Sequence, residues 1–166
     1  MARKFRGESV HKVDAKGRVS IPAMFRRVLE ENDPEWTEGL TPNLVIVYGD
    51  STRPFLEGFS VTAMNEVDDR IAKLPRGSRY RRMLERMFSG QALATQVDDT
   101  GRLVLSPKLR EKIGITNEAF FIASGDTFQI WQPETYRAQA TQFEDISGEF
   151  EEGFDPLALL DFDGQG

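Results

Sequence analysis

The chain repeats itself at an offset of 84 residues, and that period limits its architecture more than any other feature. Val13-Asp14-Ala15-Lys16-Gly17-Arg18-Val19 returns as Val97-Asp98-Asp99-Thr100-Gly101-Arg102-Leu103. Ile21 then matches Leu105, Phe25 matches Leu109, and Arg26 matches Arg110. Each copy reads as a strand, a tight turn, a strand, a short helix and a second strand pair. Asp14 and Asp98 open the turns because an Asp carboxylate can accept hydrogen bonds from the backbone just ahead of it. Gly17 and Gly101 supply the positive φ that a bulged hairpin needs. Pro22 and Pro107 start the helices, where a missing N–H costs nothing. The second pairs are predicted at 44–48 with 55–59, and at 119–123 with 128–131, the latter joined by the tight turn Ser124-Gly125-Asp126-Thr127.

The predicted organisation is a first module over 8–55, a helical linker over 56–91, a second module over 92–135, a C-terminal helix over 136–148 and an acidic, poorly ordered tail over 149–166. In the linker, Met64, Val67, Ile71 and Leu74 form one helical stripe, and Tyr80, Met83, Leu84, Met87 and Phe88 form another. Met64, Met83 and Met87 read as core fillers. The arginines at 79, 81, 82 and 86 read as the solvated face of the second helix. The fold class is α+β, with two tandem ββαβ-type modules.

Net charge is −6, which by itself disfavours nucleic acid. The distribution reverses that impression. Residues 1–30 hold eight Lys and Arg against three acids, residues 70–86 hold seven against one, and residues 138–166 hold eight acids and no base. DNA responds to the field within about a Debye length, roughly 8 Å, and not to a total. No cysteine is present, so disulfides, thiolate metal sites and a thiol nucleophile are excluded. The start reads as no secretory signal, and no apolar run reaches the roughly 20 residues of a membrane span. The absence of cysteine suits a reducing cytoplasm, and no membrane attachment, cofactor or metal is expected.

The quoted motifs, with Phe5-Arg6-Gly7-Glu8 ahead of the first, resemble the MraZ family, and the resemblance covers roughly residues 4–143. One Asp-x-x-Gly-Arg is a common turn, but two of them, each feeding an amphipathic helix, are specific. The family consists of two tandem modules similar to the AbrB transition-state regulators. The resemblance implies ββαβ units that interlock their hairpins into a swapped-hairpin barrel within one chain. It also implies a closed ring of subunits associated with the nucleoid. Such a ring binds short direct repeats of double-stranded DNA and represses its own promoter and the cell-division and cell-wall gene cluster behind it. Ser106 stands where the first copy has Pro22, and the acidic tail is longer than the family core requires.

Two readings compete for Arg18 and Arg102. Each can pair with its own turn Asp, or each can donate two hydrogen bonds to a guanine edge, worth about 1–3 kcal/mol of discrimination. The first copy is the more basic (Lys12, Lys16 and Arg18), so Arg18 leads. Arg26 and Arg27 match a basic pair in AbrB-like relatives, and phosphate contact suits helix-borne cations. The lone His11 reads as a surface strand residue. The chain lacks the sequence signatures of zinc proteases, serine hydrolases, phosphate-binding loops and dinucleotide-binding folds, so no enzyme activity is expected. The rivals are an antitoxin-like protein-interaction module that docks partners through the tail and, more weakly, a metal hydrolase built on Asp98-Asp99.

Overall fold

A computed structural model describes residues 4–147 and 152–161. The first copy contributes β1 (Glu8–Lys12), β2 (Arg18–Ser20), α1 (Ala23–Glu31), β3 (Asn43–Val47) and β4 (Phe55–Ser60). The linker forms α2 (Val61–Ala72) and α3 (Arg79–Glu85), which runs into a π turn over Arg86–Gly90. The second copy contributes β5 (Ala92–Gln96), β6 (Arg102–Val104), α4 (Pro107–Ile113), β7 (Glu118–Ser124) and β8 (Thr127–Trp131). Helix α5 (Pro133–Ser147) follows, and Pro156–Asp161 makes a short 3-10 helix. The architecture is mixed α+β, with two repeated modules.

The expected tight turns form, but their strands part. Gly17 N–H donates to the Asp14 carbonyl at 2.9 Å, and Asp14 N–H donates to Arg18 at 3.1 Å. Beyond a single bridge between Val13 and Val19, β1 leaves β2 and pairs with β7 from the other copy. The second copy does the same: β5 pairs with β3. Strands β2 and β6 pair with each other as a separate ribbon. The larger sheet therefore runs β1-β7-β8-β4-β3-β5, which reads the same from both ends once the copies are exchanged.

Burial explains the exchange. One copy owns four short strands and one short helix, too little apolar surface for a core of its own. Interlocked, Val19, Ile21, Phe25 and Leu29 of the first copy meet Leu103, Leu105, Leu109 and Ile113 of the second in one cluster. The rings of Phe25, Phe121 and Phe128 fill its centre, with Phe25 and Phe128 at 5.3 Å and Phe121 and Phe128 at 6.0 Å. Helix α4 is capped at both ends: the Ser106 hydroxyl accepts from Leu109 N–H, and Gly114 closes it at φ 72°. Asp33, 5% exposed, ties the α1–β3 loop down by accepting from Glu35 N–H, Asn43 N–H and the Asn43 amide.

The linker departs from expectation at one point. Met64 is buried and Met87 is partly so, beside Val47, Phe59 and Phe88 in a second cluster. Met83, expected in the core, is 60% exposed, as is Tyr80, and α3 buries none of its residues. The π turn inserts an extra residue into the helical phase. It brings Met87 and Phe88 onto the sheet and leaves Tyr80 and Met83 outside. The expectation of a poorly ordered tail falls partly on residues 149–151 and 162–166, outside the described residues. Within 152–161, the 3-10 helix leaves Leu157 and Leu160 exposed.

Candidate nucleic-acid interface

The β2–β6 ribbon is where the two turns meet. Its register sets Arg18 opposite Val104, Val19 opposite Leu103, and Ser20 opposite Arg102. Val19 and Leu103 face the core at 1% exposure, so alternation puts Arg18, Ser20, Arg102 and Val104 on the outer face. Arg18 and Arg102 are diagonal neighbours on that face, about 7–8 Å apart by strand geometry. The ladder continues at both ends, where Leu105 N–H donates to the Gly17 carbonyl at 2.8 Å and Ile21 N–H donates to the Gly101 carbonyl at 3.0 Å. Five rungs separate the turns, a span of about 13 Å.

Both Asp–Arg pairings anticipated from the sequence are present. Asp14 accepts from the backbone N–H of Lys16 and Arg18, at 3.0 and 2.9 Å, and from Arg18 Nε at 2.6 Å. Asp98 accepts from Thr100 and Arg102 N–H at 2.9 and 2.8 Å, and from Arg102 Nε at 3.3 Å. Each arginine is thus gripped at Nε alone. Among the described residues nothing engages the Nη groups of Arg18 or Arg102, whose side chains are 36% and 32% exposed. Holding Nε fixes the direction of the guanidinium and leaves its outer fork free to donate.

The turn carboxylates are held below the usual range. For Asp14 the backbone N–H of Arg18 does most of this, with the guanidinium of Arg18 and the N–H of Lys16 adding to it against partial desolvation. For Asp98 desolvation pushes upward, and the hydrogen bonds from Arg102 and Thr100 outweigh it. Burial lowers His11, which packs edge-on to Phe121 at 5.5 Å and bonds Ser9 through Nε2 at 2.8 Å.

The remaining candidates separate. Lys12, Lys16 and Arg27 are exposed. Arg26 is half-buried, and its guanidinium lies against the turn of the other copy: a Cβ built on Gly101 would meet Arg26 Nη1 at 2.4 Å. Its Nε is buried and has no hydrogen-bond partner among the described residues. The repeat-related Arg110 occupies the matching place and donates Nε to the Leu105 carbonyl at 3.0 Å. Sequence reasoning had placed neither Val104, 52% exposed beside Arg18, nor Arg110 in this region. The signal was present in the repeat, since residues following the two turns had to be read as strands of one ribbon. Asp98 is committed to its turn, and among the described residues no group of three or more His, Cys, Asp or Glu could hold a metal ion. Among them, too, no helix is long and apolar enough to cross a membrane.

Comparison with known proteins decides the family. The family model described as "MraZ protein, putative antitoxin-like" matches residues 4–76 and 87–155. The chain belongs to the MraZ family. A relative from Ruegeria sp. (strain TM1040) is 61% identical over 162 residues, covering 97% of each chain. One from Ruegeria pomeroyi is 60% identical with the same coverage. One from Cereibacter sphaeroides (strain ATCC 17025) is 44% identical over 171 residues, covering 99% of each. All three are named transcriptional regulator MraZ. The two matched segments correspond to the two interlocked copies, so the family unit and the structural repeat coincide. Helix α3 falls in the interval between them.

Proposed function

We propose that this MraZ-family chain is a sequence-specific regulator of transcription that binds double-stranded DNA through the outer face of the β2–β6 ribbon. The observation that carries the reading is the state of Arg18: aimed by Asp14 through Nε, half-exposed, and free at its outer fork among the described residues. Arg18 reads base edges in the major groove, where a guanidinium can donate twice to one guanine. Lys12, Lys16 and Arg27 contact phosphates and set register. Arg102 shares the face but follows the less basic turn, with Asp99-Thr100 where the first copy has Ala15-Lys16, so it contributes less. Arg26 supports the neighbouring turn as well as the basic field. The names of the relatives support the regulatory role.

The finer reading follows the family resemblance. The chain represses its own promoter and the cell-division and cell-wall genes downstream, in the cytoplasm at the nucleoid. A single ribbon spans few bases, so several copies in a closed ring engage direct repeats together. Linking sites in this way raises affinity by about 10²–10⁴ when the spacing fits.

The test is fluorescence anisotropy on the protein's own upstream DNA, with probes of one, two and three repeats, over a salt series. Arg18→Ala is expected to abolish specific binding while far-UV circular dichroism and melting temperature stay close to the parent's, because the backbone N–H bonds to Asp14 survive. Equal affinity of variant and parent would refute the role of Arg18. Single-repeat affinity equal to that for three repeats would refute the ring. Binding that ignores salt would favour the protein-interaction reading, since released counterions make DNA binding steeply salt-dependent.

A further inference from the structure

The α2–α3 hairpin is basic and bears an apolar surface that DNA binding does not use. An apolar cleft of about 320 Å³ lies between its helices, lined by Val67, Arg70, Ile71, Leu74 and Leu84. Tyr80 and Met83 stand on α3 at 60% exposure each. Residues 61–90 carry seven Arg and Lys against four acids, a net of +3 that includes Glu66, Asp68 and Asp69 on α2. Of the arginines, Arg81 is committed: it donates to the Leu74 carbonyl at 2.7 Å and pairs with Glu85. Arg70, Arg76, Arg79, Arg82 and Arg86 are exposed.

The chain carries a complement to this surface. Residues 149–161 hold five acids and no base. Within them, Leu157 and Leu160 are 69% and 79% exposed on a short 3-10 helix, where residues three apart share a face. Asp155 and Asp161 flank that leucine pair. Among the described residues, the side chains of Met83, Leu157 and Leu160 have no aromatic, hydrogen-bonding or charged partner, and that of Tyr80 carries only the neighbouring Arg79 guanidinium. The two surfaces also spring from opposite halves of the sheet, because α5 packs on β7 whereas α2 packs on β3 and β4. Both α3 and the 156–161 helix lie outside the segments matched by the family model, and so outside the repeated unit.

We propose that the C-terminal segment 155–161 of one copy docks into the α2–α3 cleft of a second copy. Leu157 and Leu160 enter the cleft beside Tyr80 and Met83, and the flanking carboxylates meet Arg70, Arg76 and Arg79. Apolar anchors with a charged rim are the usual anatomy of such a contact. The contact is heterologous, cleft to tail, and holds whether or not the chain binds DNA.

The test uses full-length protein. A labelled peptide of residues 149–166 is titrated into the Leu157→Asp/Leu160→Asp variant, whose own tail is disabled, and anisotropy is read without DNA. Binding is expected, weaker by about tenfold or more when Met83→Asp is added to the protein or when both leucines of the peptide are changed to Ser. Raising salt is expected to weaken it further. Full-length Met83→Asp, with an intact tail, is then mixed with the tail-disabled variant. Light scattering is expected to show the pair associating to a mass that neither reaches alone. Failure of the peptide to bind, or equal binding to the Met83→Asp protein, overturns the proposal. So does a tail–α3 proximity signal in the parent that survives dilution and does not exchange on mixing, since that places the tail in its own chain.

Discussion

Three glycines offer a direct test of how the two copies interlock. Gly17, Gly101 and Gly125 all sit at tight turns with positive φ, at 83°, 79° and 72°. An alanine therefore meets a similar backbone penalty at each, about 1 kcal/mol. What differs is the surroundings. A Cβ on Gly17 would lie 2.1 Å from the Leu105 carbonyl oxygen, a backbone atom of the other copy. That atom cannot retreat easily, because Leu105 N–H is bonded to the Gly17 carbonyl at 2.8 Å and its own oxygen accepts from Arg110. On Gly101 the near atoms are the guanidinium of Arg26, the far end of a flexible side chain. On Gly125 nothing lies within 4 Å. Forcing the backbone apart at Gly17 adds about 1–3 kcal/mol of overpacking, for a total of about 2–4 kcal/mol. For a chain of this size each kcal/mol moves the melting temperature by about 2–4 °C. Gly17→Ala is expected to melt roughly 10 °C below the parent, and Gly125→Ala only about 2–4 °C below. Gly101→Ala should fall near Gly125→Ala once Arg26 moves. Differential scanning calorimetry on the three variants gives the ranking. If Gly17→Ala melts within a degree or so of Gly125→Ala, the close crossing of the copies at Leu105 is wrong.

Other outcomes follow from the same geometry. Phe128→Ala empties the centre of the shared core and is expected to cost about 3–5 kcal/mol in urea unfolding, in a single transition because both copies line that core; two separate transitions would contradict the interlock. Arg27→Ala is expected to weaken binding to all DNA sequences alike and to lower the salt slope by about one charge, whereas a loss confined to one base position would make it a base reader. Asp14 and Asp98 are held below the ordinary carboxylate range, so the folded state binds fewer protons there than the unfolded chain does. Their contribution is present above the ordinary carboxylate pKa and is lost as pH falls below it towards the depressed values. Asp14→Asn is therefore expected to flatten the acid limb of a stability–pH curve between about pH 5 and pH 2, and an unchanged limb would show that the turn does not depend on the carboxylate charge.

What the sequence determined by itself was local and repetitive. The turns at Asp14–Gly17 and Asp98–Gly101 were legible because φ and Asx hydrogen bonding are set by a few neighbouring residues. The helix starts at Pro22 and Pro107 and the tight turn at Gly125 were legible for the same reason. The offset of 84 residues gave the number of modules, and pairing with the turn Asp was one of the two readings left open for Arg18 and Arg102. Two features were decided only by the tertiary structure. Partner choice was one, which the family resemblance implied but no local pattern could: β1 leaves its own turn for β7 because burial of Val19, Ile21, Leu103 and Leu105 rewards strands from both copies together, and hairpin spacing carries no record of that reward. The face shared by Arg18 and Arg102 is a consequence of that pairing, as is the seat of Arg26 on the Gly101 turn. The exposure of Met83 was the other. A stripe at helical spacing states which residues share a face of α3, but a single π turn downstream set which face met the sheet. Periodicity fixes relative orientation within an element, and only packing between elements fixes what that orientation faces.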